Sequence, residues 1–147
     1  MLATIMRHVT RVLALAVLAG GAIAQEPQPV ATMSQLMVEI IYPTSDAIFY
    51  AGRTTPMSDH DWAELQRSAL MLAEAGNLLM MPSRARDQGM WMKDAKMLVD
   101  AGAAAYKAAK KKDLDAVLAL NEQLYNSCVY CHEDYRPNYR KRSGRPQ

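Results

Sequence analysis

Residues 114–136 read LDAVLALNEQLYNSCVYCHEDYR. Leu114, Val117, Asn121, Leu124, Cys128 and Tyr135 follow one another at three-, four- and seven-residue steps, which puts them along one stripe of an α-helix. Asp113 stands just before the stretch as a plausible N-cap, so a helix is predicted to start after it. No alternating apolar–polar pattern, the mark of a half-buried strand, occurs here or elsewhere in the chain.

Working outward, the same periodicity recurs three times upstream. Trp91, Ala95, Leu98, Gly102, Ala105 and Ala109 form one stripe. Trp62, Leu65, Ala69, Leu72, Gly76 and Leu79 form another, with Ser58 or Asp59 as its opening cap. Met33, Leu36, Met37, Ile40 and Ile41 begin a third, which continues through Ala47 and Ile48. Gly52 to Pro56 and Pro82 to Gly89 are rich in breakers and read as loops. Lys110 to Asp113 is a tight connection, its lysines favoured at the negative end of the preceding helix. Four helices joined mostly by short connections make antiparallel neighbours. The expected fold is therefore all-α, an up-down-up-down four-helix bundle. Pro43 conflicts with its own helix, because it lacks a donor and its ring meets the carbonyl of Glu39. A kink is expected there, or a restart with Thr44 or Ser45 as cap.

The first 24 residues stand apart from this domain. Arg7 and Arg11 precede a continuous apolar run from Val12 to Ala19, and Ala22-Ile23-Ala24 has the small-x-small pattern of a signal-peptidase site. The run falls short of the roughly 20 residues needed to span a bilayer. A signal peptide cleaved after Ala24 is expected, leaving residues 25–147 as the mature domain with no permanent membrane anchor. The 17 basic residues less Arg7 and Arg11 leave 15, against 15 acidic ones. Nothing in that balance suggests a nucleic-acid partner, which would need a basic face.

Export sends the only two cysteines to an oxidising compartment, where a disulfide is the default. Their spacing argues otherwise. Cys128-Val129-Tyr130-Cys131-His132 is C-x-x-C-H, the attachment signature of c-type haem. With two cysteines and three histidines in the chain, the pattern arises by chance roughly once in 3,500 sequences. Residues three and four apart share a helix face, so Cys128, Cys131 and His132 all point toward one haem edge. The two sulfurs would form thioethers with the haem vinyl groups, and His132 would be the proximal iron ligand. A thioredoxin-type redox pair would need a strand-helix-strand context that is lacking. A zinc site would need four ligands, where the mature chain offers only both cysteines, His132 and the distant His60.

A C-x-x-C-H motif on the last helix of a four-helix bundle resembles the class II c-type cytochromes, the cytochrome c-prime family and its low-spin relatives. Residues 128–136, CVYCHEDYR, are similar to that family's C-x-x-C-H-x-x-Y-R ending. The resemblance covers nearly the whole mature chain. It implies one covalent haem c near the C-terminal end of the last helix, in a periplasmic protein that serves redox protein partners. It also implies a distal residue from the first helix. Met33 occupies the position the family uses, and a thioether there raises the reduction potential. Met37, one turn further on, is the alternative, and core packing is a third role for either, since methionine fills gaps well.

With His132 and Met33 on the iron, the expected activity is single-electron transfer rather than catalysis, so no catalytic residue is assigned. The alternative is a high-spin module binding nitric oxide or carbon monoxide at an open distal site. Arg136, one turn beyond His132, is a candidate partner for a haem propionate. Trp62 and Trp91 are assigned to the core before the pocket, and His60 to the surface. Arg136, Arg140, Lys141, Arg142 and Arg145 form a basic tail that either steers an acidic redox partner or is simply solvated. Relatives often pair through their first two helices, so a homodimer is one assembly the resemblance allows.

Overall fold

The computed structural model describes residues 26–139 apart from 54 and 56. The expected signal peptide and the tail residues Arg140, Lys141, Arg142 and Arg145 lie outside the described residues. Everything regular among the described residues is helical, and the helices fall into four runs compatible with a bundle. None of them is long and apolar enough to cross a membrane.

The second and third runs are single helices, α3 (Asp59–Leu79) and α4 (Met90–Lys110). Ser58 caps α3 as expected, its hydroxyl accepting from Asp61 N while the Asp61 carboxylate accepts from Ser58 N at 2.8 Å. The stripe residues of both helices are buried. Two of them are glycines at points of close backbone approach. A Cβ on Gly102 would lie 2.7 Å from Ala73 N and 3.0 Å from Ala69 O, and one on Gly76 would meet Val99 Cγ2 at 2.6 Å. Hydrogen in place of a side chain lets α3 and α4 pack backbone against backbone.

The first run is continuous from Met33 to Phe49 but not uniform. α1 (Met33–Gln35) leads into a π-helical segment, π1 (Leu36–Ile41), and then α2 (Tyr42–Phe49). Thr32 and Gln35 form a capping box at its start. The helix neither stops nor restarts at Pro43, and neither Thr44 nor Ser45 serves as a cap. Instead the turn before the proline widens, and Tyr42 N donates to Met37 O, five residues back. Both hydroxyls turn inward onto backbone carbonyls. Thr44 Oγ1 donates to Ile40 O at 2.6 Å and Ile41 O at 3.1 Å, and Ser45 Oγ to Tyr42 O at 2.9 Å. Each is the back-bond a helical serine or threonine makes to a carbonyl three or four residues earlier; the carbonyl that loses a donor to Pro43 is that of Glu39.

The fourth run also departs from the expected single helix. It divides into α5 (Leu114–Leu118) and α6 (Asn121–Tyr135). Asp113 caps α5, accepting from Ala116 N at 3.0 Å. At the junction Leu120 N bonds Val117 O, only three residues back, which tightens one turn. No proline or glycine marks this place, so local composition gives no sign of it. Val117 and Leu124 on either side are both fully buried.

The runs pack in a closed ring. α2 and π1 lie on α3, α3 on α4, α4 on α6, and the fourth run returns to α2. Bonds between ends fix the arrangement. Lys112, just past α4, reaches Asp59 at the start of α3, 2.6 Å away. Trp91 Nε1 at the start of α4 donates to Leu79 O at the end of α3, 2.8 Å away. The buried Arg84, in the loop between those helices, donates to Ala31 O just before α1 at 2.8 Å.

Candidate functional site

α6 carries the C-x-x-C-H motif on the side that faces α4 and the first run. Cys128, Cys131 and His132 line one cavity there, together with Ser127. Asp94, Ala95 and Leu98 of α4 close a second side and Leu79, the last residue of α3, another. Met37 and Ile41 of π1 complete the wall. Helical spacing accounts for the convergence, since residues 127, 128, 131 and 132 repeat at steps of three and four.

Cys128 and Cys131 are not joined in a disulfide. Burial pushes the Cys128 thiol above its ordinary pKa, partly offset by the neighbouring Ser127 hydroxyl. Burial also pushes the half-buried His132 below the usual imidazole range, and the nearby Arg136 cation acts in the same direction. A neutral ring keeps a nitrogen lone pair for a metal. The ring also sits 5.4 Å from that of Tyr139.

The sixth-ligand candidates differ in position. Met37 lines the cavity. Met33, one turn earlier, is half-buried and packs against the hydrophobic core, and it is not among the residues lining the cavity. Arg136 is exposed, and its guanidinium lies 5.7 Å from the Tyr139 ring centroid. Trp62 and Trp91 are both buried in the core, as expected. His60 is exposed and stands 3.6 Å from Glu64 on the outer face of α3.

The cavity residues suit a covalently held haem. Ile41, Leu79, Ala95 and Leu98 give an apolar wall for a macrocycle, two thiols meet at one side, and imidazole and thioether are both competent iron ligands. A porphyrin iron asks the protein only for axial ligands. No group of three or more His, Cys, Asp or Glu side chains disposed around a metal ion occurs among the described residues.

The apolar periodicity does not mark two members of the site, Ser127 and Asp94. Asp94 is 1 % exposed and lines the cavity. It stands three residues after Trp91 and four before Leu98, at stripe spacing, and an acid at such a position is the signal that could have found it.

At the end of α6, Tyr135 ties the motif to the loop before α4. Its hydroxyl donates to Asp87 Oδ2, and its ring packs edge-on to Trp91 at 5.0 Å. The other oxygen of Asp87 accepts from Gly89 N at 2.7 Å and Trp91 N at 3.2 Å. The Tyr135 bond, more than these backbone donors, holds the Asp87 carboxyl below its ordinary range.

Comparison with protein-family models and with curated proteins finds no match to this chain.

Proposed function

We propose that the protein is an exported single-haem electron carrier of the c type. Cys128 and Cys131 would hold the haem, and His132 and a methionine of the first helix would hold its iron. The observation that carries this reading is the convergence of both thiols, the imidazole and one thioether on a single, mostly apolar cavity. When bound, the haem supplies a one-electron couple, its iron alternating between ferric and ferrous.

The chain's own residues account for the rest. Each cysteine would hold the haem by adding its S–H across a vinyl group, the sulfur bonding one carbon and the hydrogen the other, with no net oxidation. Helical spacing then aims His132 at the iron from the same side. Met37 is the methionine we assign as sixth ligand, because it lines the cavity. Met33 is the competitor favoured by its place in the sequence. The apolar wall keeps water from the iron, and a thioether stabilises the ferrous state and raises the potential. Arg136 is assigned to a haem propionate, which a guanidinium suits. The paired ends of the helices support an up-down-up-down order for the bundle. The apolar run and small-x-small site of residues 1–24 support a periplasmic location, with other redox proteins as partners.

The test combines a mass spectrum with an optical spectrum of protein produced with haem-attachment machinery. The mature chain should carry the mass of one haem that survives acid–acetone extraction. The oxidised protein should be low-spin with a weak near-infrared sulfur-to-iron band. Extractable haem, or none, would refute covalent attachment. A high-spin protein avid for carbon monoxide would hand the function to the gas-binding alternative.

A further inference from the structure

Pro43 lies six residues beyond Met37 and does not line the cavity. We propose that it sets the register of the first helix. By keeping π1 open, it turns Met37 rather than Val38 toward the cavity that His132 also lines. The inference rests on the haem reading given above.

The geometry follows from the helix types. A π turn closes on the fifth residue rather than the fourth, so π1 absorbs one residue more than an α-helix over the same path. Observed burial fits that extra residue, since Leu36 and Ile41, five residues apart, are both buried while Val38 between them is 59 % exposed. Beyond the proline, Thr44, Ser45 and Ile48 are buried and anchor α2. If the whole run became α-helical with α2 held, every position before Pro43 would advance by one. Val38 would take the place of Met37, Met37 that of Leu36, and Ser34 that of Met33. The iron would then face a valine, which cannot ligate it.

Pro43 is what opposes that change. It has no N–H to return to Glu39 O, and its ring clashes with that carbonyl at α-helical geometry. Widening the turn relieves the clash, and the bond from Tyr42 N to Met37 O shows the wider turn directly. Thr44 Oγ1 shares its one hydrogen between Ile40 O and Ile41 O at the same turn. Pro43 is thus a positioning residue, and its effect is separable from stability, because a helix interior ordinarily prefers alanine to proline.

The experiment compares the full holoprotein with Pro43→Ala, and with Pro43→Ala lacking Val38. Pro43→Ala should still fold yet shift from low-spin to high-spin and gain carbon monoxide binding. Deleting Val38 as well removes the surplus residue and restores α-helical spacing of Leu36, Met37 and Ile41, so the low-spin spectrum should return. A Pro43→Ala protein as low-spin as wild type would overturn the proposal, as would a folded deletion variant that stays high-spin. A second readout does not depend on the haem. Val38→Cys should be alkylated readily in the wild-type background and lose that reactivity with Pro43→Ala, as position 38 turns inward. Unchanged labelling would overturn the register argument. With labelling lost as described, a wild-type protein that holds no haem would refute the haem reading, and a high-spin one the methionine ligand, while either would uphold the register.

Discussion

The hydroxyl of Tyr135 donates to the carboxylate of Asp87, joining the last turn of α6 to the loop that precedes α4. Tyr135 stands one turn beyond His132, so the contact fixes the end of the helix on which the proposed iron ligand sits. Burial, followed by the Asp87 bond and charge, pushes the Tyr135 hydroxyl from 10.0 up to about 12. The raised value means that the folded state favours the protonated phenol. Its contribution to stability is therefore complete below pH 10 and is lost as pH rises toward 12. Asp87 has the opposite sign, because its folded pKa lies below the ordinary carboxyl value of 3.8. Its contribution is present above that value and is lost as pH falls through the lowered folded pKa. Thermal melts of wild type and Tyr135→Phe should differ by a constant amount between pH 5 and 9 and converge above pH 10. A difference that persists undiminished to pH 12 would show that the hydroxyl is not what Tyr135 contributes.

Met37→Ala should open the iron, giving a high-spin protein that binds carbon monoxide and has a lower potential. Met33→Ala should stay low-spin and lose stability only, by about 2 kcal/mol or less for a half-buried side chain. Optical spectra with and without carbon monoxide decide between them. If Met33→Ala alone opens the iron, the ligand is one turn earlier.

Gly102→Ala should destabilise the fold by about 1–3 kcal/mol, since the added methyl would meet backbone atoms of α3 that cannot swing aside. Gly76→Ala should cost less, because its nearest neighbour is a side-chain methyl of Val99. Urea unfolding midpoints of the two variants test the order. Equal midpoints for Gly102→Ala and wild type would mean that α3 and α4 sit further apart than described.

Cys128 is largely shielded by its neighbours, and its thiol is held protonated by burial. In chain produced without haem, alkylation of Cys128 at pH 8 should be slow and should accelerate in denaturant, because the thiolate is the reactive form. Attachment would then have to precede closure of α6 onto α4. Rapid alkylation under native conditions would show that α6 packs there only once haem is present.

Much of this molecule was legible in the chain itself. The three- and four-residue apolar steps give the all-helical class, because a helix must bury one stripe. Ser58 and Asp113 mark two helix starts, because their side chains satisfy orphan N–H groups within three residues. The grouping of Cys128, Cys131 and His132 is equally local, a matter of helical pitch. What lay beyond the sequence depends on contacts between distant segments. Pro43 announced trouble in the first helix, but the trouble was absorbed by a π turn rather than a break, because a turn closing on the fifth residue relieves the clash of the proline ring with Glu39 O. Periodicity puts Met37 on the inward stripe, but it does not reveal the wider turn on which that register depends. The division of the fourth run at Leu120 likewise has no composition signal. Asp94 reaches the cavity, and Asp87 meets Tyr135, only because the start of α4 packs beside the end of α6. Local spacing fixes which residues share a face; only the packed tertiary structure decides what that face meets.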